Sequence, residues 1–265
     1  MESEIIYTGL DRNSIEEFYT NTNISRKCIE ILSEYLEEDV DLFIEPSAGN
    51  GSFSNLLNKC LAYDIQPTGD NIEKCDFLEL EINEKWKNIN TWTIGNPPFG
   101  RQSSLAKKFI KKACQYSSGI AFILPRSFKK ESMKKTFNEY YHLIHEWDVP
   151  KNSFLLNKKP YDVPCVFQIW KRCSEKRPIK EVSTTDDFVF VKKNEDPDIA
   201  FRRVGGNAGT LSTDIENCNV QCFYFIKLFI NIDDFIKKVK IIKWNDNATG
   251  PRSISKGELL EKYCE

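Results

Sequence analysis

Apolar residues follow two different periodicities along this chain, and the two alternate over residues 41 to 171. Short apolar runs stand at 41–44, 61–65, 91–95 and 119–125, and each predicts one strand. The run GIAFILP at 119–125 is apolar throughout, which is typical of a strand covered on both faces of a parallel sheet. Residues 24–36 and 104–114 instead repeat apolar positions every three to four residues. They predict helices, the first with Asn23 as its N-cap.

Further elements follow the same alternation. The stretch SFSNLLNKC predicts a helix after a glycine turn, and SFKKESMKKTFNEYY predicts a basic helix. HLIHEWDV and VPCVFQIWK predict two strands with no helix between them, so we expect this last pair to be antiparallel. The pattern as a whole predicts an α/β domain with a largely parallel sheet.

The alternation breaks off near Cys173, where a charged connector begins. We therefore expect one domain over residues 1–174 and a small extension over residues 175–265. The extension contains a glycine cluster, RRVGGNAG at 202–209, and a helix that starts near Ser255.

Composition narrows the class of protein. The 37 basic and 39 acidic residues nearly cancel, so any site for a polyanion must be local. Nine cysteines without CxxC pairs favour reduced thiols in an intracellular protein, cytoplasmic or nuclear. His142 and His145 lack a ligand cluster, so we expect no metal, and the chain shows neither a secretion signal nor a long apolar span. The sequence does not indicate an oligomeric state.

Chemistry-bearing residues follow the first strands. FIEPSAGNGSF at 43–53 combines small residues and glycines after the first strand, where a backbone can approach a ligand, although an ordinary tight turn explains the same residues. Asp64 ends the second strand, and Asp76 with Phe77 comes one strand later. Since ligands bind at the carboxyl ends of parallel strands, this order predicts a nucleoside cofactor.

EPSAGNG, AYDI, CDF and GNPPF, in this order and spacing, resemble the motifs of class I S-adenosylmethionine-dependent methyltransferases, in particular the branch that methylates N6 of adenine. The resemblance covers about residues 15 to 171. EFYTN at 17–21 is similar to the FYTP segment of members with a C-terminal target-recognition region, with Asn21 where proline is usual. It implies a Rossmann-like fold, that is, a seven-stranded mostly parallel sheet with helices on both faces, followed by a small C-terminal α+β extension.

The resemblance also implies S-adenosylmethionine as cofactor and gives roles to several residues. Glu45 binds the cofactor's amino group, Asp64 its ribose, and Asp76 with Phe77 its adenine, while Tyr19 and Thr20 close over it. The implied cofactor site comprises Tyr19, Thr20, Glu45, Pro46, Ser47, Ala48, Gly49, Gly51, Phe53, Asp64, Ile65, Asp76, Phe77 and Asn96.

The tetrapeptide NPPF supplies the catalytic residues that this resemblance implies. A purine amino group is a poor nucleophile, so two acceptors that hold its hydrogens favour the pyramidal transition state. Asn96 offers its side-chain carbonyl and Pro97 its backbone carbonyl. Pro97 and Pro98 stiffen the loop, and Phe99 stacks on the base.

Basic residues concentrate after NPPF, where residues 101–135 hold ten basic side chains against one acidic side chain. Arg101 and the segment from Arg126 through Lys129 and Lys130 are the predicted phosphate contacts, whereas the lysines at 107, 108, 111 and 112 are expected to be solvated in part. Arg202 and Arg203 also fit a nucleic-acid contact, with a hairpin turn as the alternative.

The leading hypothesis is therefore an enzyme that methylates adenine N6 in DNA by base flipping. The same chemistry on messenger or ribosomal RNA is the first alternative, and methylation of a protein glutamine amide is a second. A cofactor-dead nucleic-acid-binding subunit is the non-enzymatic alternative. The combination of the glycine turn, Asp64 and Asn96 argues against it.

Overall fold

The computed structural model describes residues 19–156, 159–178, 183–244 and 252–265. The chain divides into two compact units, Met1–Arg177 and Pro178–Glu265. Glu17 and Phe18 of the predicted EFYTN segment lie outside the described residues.

The strands are β1 Tyr19–Thr20, β2 Leu42–Glu45, β3 Cys60–Asp64, β4 Glu73–Lys74, β5 Thr91–Gly95, β6 Gly119–Pro125, β7 Tyr141–Asp148, β8 Phe154–Leu156, β9 Lys159–Tyr161, β10 Cys165–Arg172, β11 Phe188–Val191, β12 Ile199–Arg202, β13 Leu211–Ser212 and β14 Phe223–Leu228. The α-helices are α1 Thr22–Ser33, α2 Ser104–Ala113, α3 Glu131–Lys134, α4 Ile232–Ile241 and α5 Lys256–Cys264.

The first unit is built on a seven-stranded sheet with the order β4-β3-β2-β5-β6-β10-β7. Neighbours from β4 to β6 are parallel, and β10 pairs antiparallel with both β6 and β7. This confirms the predicted mostly parallel sheet and its antiparallel final pair. The strand order reverses between β2 and β5, so a crevice opens there at the carboxyl ends of the strands.

Helices cover both faces of this sheet. The central strands β5 and β6 are buried at every position, as expected for strands packed on two sides. On one face, Ile110 and Phe109 of α2 pack with Ile120 and Phe122. On the other face, helix α1 packs with Ile94 and neighbouring strand residues through the buried side chains Cys28, Ile31 and Leu32.

Three local predictions are wrong in detail. The N-cap of α1 is Asn21, whose side chain accepts the Asn23 N–H. SFSNLLNKC forms only a 3-10 turn at Ser54–Leu56, because the chain must become extended before β3 begins at Cys60. The basic stretch forms a 3-10 turn and the short α3. Phe128 and Phe137 are both buried, and nine residues place them on opposite sides of a continuous helix, so one helix could not bury both.

The connection between β7 and β10 carries a second small sheet, in which β8 lies between β1 and β9 in antiparallel pairing. Tyr19 and Thr20 pair with Leu155 and Phe154. Backbone pairing therefore ties the segment before α1 to this connection.

The second unit is an α+β structure. Its four-stranded antiparallel sheet has the order β11-β14-β12-β13. Phe235 of α4 and Leu259 of α5 pack with Phe188, Phe201 and Ile226 on one face. Helix α5 begins directly after Ser255, whose side chain accepts the Glu258 N–H. This agrees with the helix that was predicted to start near Ser255.

Candidate active site

A cavity of about 290 Å³ opens at the carboxyl ends of β2, β3 and β5. Its volume is near the lower end of the range usual for small-molecule sites. The residues predicted for the cofactor and for catalysis all line this one cavity, with the exception of Gly51. They are Tyr19, Thr20, Glu45, Pro46, Ser47, Ala48, Gly49, Phe53, Asp64, Ile65, Asp76, Phe77, Asn96, Pro97, Pro98 and Phe99.

The glycine turn after β2 forms one side of the cavity. Gly49 has a φ of +56°, a left-handed conformation that side chains other than glycine's rarely adopt. Its N–H donates to Asp64 Oδ2 at 2.7 Å. A Cβ at Gly49 would lie 3.0 Å from Tyr19 Cε1, so the absence of a side chain lets β1 approach the turn.

Glu45 ends β2 at the back of the cavity and is 1% exposed. Its Oε2 accepts the Ser54 N–H at 2.7 Å. Ser54 follows the glycine turn, so this part of the chain orients the carboxyl group. Burial raises the pKa of Glu45 to about 8, because a charge is costly away from water, and the hydrogen bonds from Ser54 only partly oppose this.

Two further carboxyl groups are oriented by backbone N–H donors. Asp64 Oδ1 accepts the Gln66 N–H at 2.8 Å, and Asp76 Oδ1 accepts the Leu78 N–H at 2.9 Å. A carboxylate offers about four acceptor positions, so each keeps capacity for a ligand hydroxyl or amino group. Asp64 and Asp76 therefore present fixed acceptors along one wall.

Asn96 follows β5 directly and lines the same cavity. Its Nδ2 donates to Thr20 Oγ1 at 3.1 Å, and its backbone carbonyl accepts from Ser47 Oγ at 3.2 Å. Thr20 is held in turn by β8 and by Ser52, whose Oγ donates to the Thr20 carbonyl at 3.0 Å. The asparagine is thus fixed from both its side chain and its backbone.

Phe99 connects NPPF to α2. Its carbonyl accepts the Leu105 and Ala106 N–H groups at 3.1 and 3.3 Å, so NPPF leads into the first turn of the helix. Between them, Gly100, Gln102 and Ser103 all have positive φ values, which is costly for the two residues other than glycine. Such local strain persists where the surrounding structure holds it, and functional sites are where it clusters.

The predicted nucleic-acid contacts of the first unit, Arg101, Arg126, Lys129 and Lys130, do not line the cavity. Arg101 is exposed in the turn that follows Phe99. Arg126 and Lys129 follow β6 as predicted, but they form ion pairs with Asp148, at 3.7 Å and 2.8 Å. Lys130 is the next residue in the same turn.

The second unit holds Arg202 and Arg203. Their segment joins β12 to β13, as in the hairpin alternative. Arg202 lies over the Phe223 ring and Arg203 over the Tyr224 ring, at 5.6 and 5.1 Å from the ring centres. Both cations are therefore held by aromatic faces, which leaves their charge un-neutralised by these contacts.

Several lining residues were not predicted. Leu105 and Phe109 belonged to the apolar stripe of α2, and that stripe could have indicated a wall facing a neighbouring element. Phe154 and Val163 come from the β7–β10 connection, where no local pattern pointed to the cavity. Phe154 is placed by the long-range pairing of β8 with β1.

Both histidines have hydrogen-bonding roles. His145 Nδ1 is 2.7 Å from Tyr35 Oη, and His142 Nε2 is 3.0 Å from the Glu175 carbonyl. Within the described ranges, no three His, Cys, Asp or Glu residues are placed to share a metal ion. In the same ranges, no helix has the length and apolar character needed to cross a bilayer.

The fold and this cavity define a class I methyltransferase domain. The sheet order reverses at the cavity, a glycine turn follows β2, and the oriented carboxyl groups of Asp64 and Asp76 come at the end of β3 and just after β4. A model of the EDM2 methyltransferase-like domain matches residues 38–175. The chain belongs to this family, and the cofactor that the family and fold imply is S-adenosylmethionine.

Individual proteins resemble the chain more distantly. Protein ENHANCED DOWNY MILDEW 2 of Arabidopsis thaliana is 29% identical over 141 residues, which cover 48% of this chain and 11% of that protein. The chain thus matches only about a tenth of that relative's length. A protein from Pyrococcus horikoshii described as a proposed RNA methyltransferase shares 15% identity, with a TM-score of 0.46 over 60% of this chain and 88% of that one. A tRNA methyltransferase of M. jannaschii shares 17% identity, with a TM-score of 0.41 over 60% of this chain and 50% of that one.

Proposed function

We propose that this protein transfers the methyl group of S-adenosylmethionine to the exocyclic N6 amino group of adenine in DNA. The observation that carries the proposal is the position of Asn96, which follows β5 directly and lines the same cavity as the glycine turn and the two oriented aspartates. A reaction between two bound partners depends above all on placing both in one site.

Cofactor binding would use the residues around the glycine turn. Asp64 would accept hydrogen bonds from the ribose hydroxyls, and Asp76 would accept one from the adenine amino group beside the Phe77 ring. Glu45 would face the cofactor's ammonium group, whose positive charge would favour ionisation of this buried carboxyl. Gly49 supports this assignment, because its missing side chain leaves room for β1 and for a ligand against the backbone.

When bound, S-adenosylmethionine supplies a methyl group carried on a positively charged sulfur. Asn96 would accept one amino hydrogen of the target base and the Pro97 carbonyl the other, which turns the nitrogen lone pair toward the methyl carbon. The nitrogen would gain the methyl group as the S–CH₃ bond of the donor breaks, the bonding electrons would remain on the sulfur, and the nitrogen would then release one proton to water. No strong base is required, because the nitrogen loses its proton after its lone pair has been used.

Phe99 would stack on the extruded base, and stacking of this kind contributes about 1 to 3 kcal/mol per base. That is comparable with the few kcal/mol needed to extrude a base from a duplex. We assign this chemistry to residues 1–174 and recognition of the target to residues 175–265.

The backbone contacts that we propose differ in strength. Arg101 is exposed beside NPPF, and Arg202 and Arg203 keep their charge, so these three carry most of the attraction for phosphate. Arg126, Lys129 and Lys130 contribute less, because Asp148 already neutralises part of the charge of that turn.

The substrate class can be tested with tritiated S-adenosylmethionine. The protein is incubated with equal masses of double-stranded DNA, structured RNA and a protein extract in one reaction. Acid-precipitable label is then measured after separate treatment with DNase, RNase or protease. We expect DNase to remove the label. Label removed by RNase would show that RNA is the substrate of the same reaction. Label removed by protease would refute a nucleic-acid substrate.

A further inference from the structure

Lys112 differs from Lys108 and Lys111 of the same helix, α2. Lys108 and Lys111 are exposed, whereas Lys112 is half-buried and its Nζ donates to the backbone carbonyls of Leu78 at 2.8 Å and Leu80 at 2.5 Å. Lys112 is thus solvated only in part, and its ammonium group has specific backbone partners. The reason is helical spacing, because Leu105, Phe109 and Lys112 follow one another at i, i+4 and i+7 on one face.

The two carbonyls belong to the segment Cys75–Leu80, which forms a wall of the cofactor cavity. Cys75, Asp76, Phe77 and Leu78 all line that cavity. The segment has no regular structure of its own. It is fixed where the Cys75 N–H donates to the Asp64 carbonyl at 2.9 Å, and where the Phe77 ring stacks on Phe109 with 5.8 Å between ring centres.

Lys112 adds the attachment at the far end of this wall. Its ammonium group lies 5.3 Å from the centre of the Phe77 ring as well as on the two carbonyls. Hydrogen bonds from a charged donor are roughly twice as strong as neutral ones, and here one group holds two carbonyls beyond Asp76. Burial lowers the pKa of Lys112, while the neighbouring Glu79, Asp76 and Cys75 act in the opposite direction.

The same helix also begins at the catalytic tetrapeptide. The Phe99 carbonyl caps its first turn, and Lys112 lies near its last residue, Ala113. Helix α2 thus contacts NPPF at one end and the segment that carries Asp76 at the other.

We propose that Lys112 is a positioning residue of the cofactor site, which places Asp76 and Phe77 against the cofactor's adenine by holding the Leu78 and Leu80 carbonyls. The proposal rests on the cofactor assignment made above and is independent of which polymer accepts the methyl group.

The test compares Lys112→Met, which keeps the length of the side chain and removes its donors, with Lys112→Arg, which keeps donors. Lys108→Met, on the exposed side of the same helix, is the matched control. Calorimetry measures the Kd of S-adenosylhomocysteine and of its hypoxanthine analogue, S-inosylhomocysteine, which lacks the amino group that Asp76 would bind. We expect Lys112→Met to bind S-adenosylhomocysteine about tenfold more weakly, which corresponds to about 1.4 kcal/mol.

The decisive quantity is the ratio of the two affinities. Wild type and Lys108→Met should prefer the adenine ligand by the same factor, Lys112→Met should lose most of that preference, and Lys112→Arg should recover it. An unchanged ratio in Lys112→Met, including an equal loss for both ligands, would overturn the proposal. Should Lys112→Met not fold, Lys112→Gln is measured in its place by the same criterion.

The outcomes also separate this proposal from the function. Failure of wild type to bind S-adenosylhomocysteine would refute the cofactor assignment, and the role of Lys112 with it. Binding by wild type with an unchanged ratio in Lys112→Met would refute only the role of Lys112.

Discussion

Replacing Glu45 by glutamine changes one buried carboxyl into a group that stays neutral at every pH. Glutamine has the same shape and can still accept the Ser54 N–H, so the main change is the charge. In wild type, burial raises the pKa of Glu45 from 4.5 to about 8 in the folded protein. The folded state therefore holds a proton between these values that the unfolded state has released.

The sign follows from that difference in protons. Below about pH 4.5 the group is protonated in both states and costs nothing. As pH rises from there toward 8, wild type loses about 1.4 kcal/mol of stability per pH unit through this group, a total on the order of 5 kcal/mol. Glu45→Gln escapes this loss, so the variant should be increasingly more stable than wild type up to about pH 8.

The assay is guanidinium unfolding of wild type and Glu45→Gln between pH 5 and pH 9. Tryptophan fluorescence reports mainly on the first unit, because four of the five tryptophans lie within Met1–Arg177. We expect the free energies of unfolding to nearly coincide at pH 5 and to diverge by several kcal/mol at pH 8.5. Parallel curves over the whole range would refute the burial argument.

A ligand extends the same argument to function. The ammonium group of S-adenosylhomocysteine would favour the ionised carboxylate, so its affinity for wild type should rise with pH toward 8. This rise should be absent in Glu45→Gln. A rise of equal size in the variant would show that another group carries it.

Three further predictions concern separate parts of the site. Thr20→Val removes the hydroxyl that holds Asn96 while keeping a β-branched side chain, so kcat should fall about tenfold with little change in cofactor affinity. Thr20→Ser keeps a hydroxyl and should restore kcat. Equal kcat values in Thr20→Val and wild type would contradict this prediction. Gly49→Ala introduces a Cβ at positive φ and 3.0 Å from Tyr19. It should lower the free energy of unfolding by about 1 to 2 kcal/mol and weaken S-adenosylhomocysteine binding, as measured by unfolding and by calorimetry. Wild-type values in both measurements would show that the turn relaxes freely. Arg101→Ala should reduce the slope of log K against log salt for a DNA oligonucleotide by about 0.9, with a smaller change in Lys129→Ala because that lysine is already paired. Fluorescence anisotropy measures both slopes, and equal changes would contradict the ranking.

The central sheet was predictable because its strands carry a strong local signal. TWTIG and GIAFILP became β5 and β6 with the expected bounds, since strands buried on both faces must be apolar at every position. The apolar stripe at 104–114 likewise became α2. In these elements, burial and local propensity favour the same structure.

Other features depended on contacts that a local pattern does not contain. The stretch SFSNLLNKC has helical residues but too little length before β3. The ion pairs of Lys129 form only once β7 pairs with β10, which itself lies beside β6. The sequence around Lys112 does not distinguish it from the neighbouring lysines, because only the fold places the Leu78 and Leu80 carbonyls within hydrogen-bonding distance of its ammonium group. Residues of the cavity that follow strand ends could be predicted, whereas Phe154 and Val163 come from a distant connection.

The central claim is that Asn96 directs methyl transfer to the amino nitrogen of adenine. The most direct measurement supplies S-adenosylmethionine with a CD₃ group to wild type, Asn96→Ala and the exposed control Asn88→Ala, with DNA as acceptor, followed by digestion to nucleosides and mass spectrometry. We predict N6-(CD₃)-deoxyadenosine from wild type and Asn88→Ala, and a loss of at least about a hundredfold in Asn96→Ala with cofactor affinity retained. Label on a ring nitrogen or on cytosine, or undiminished transfer by Asn96→Ala, would contradict the account.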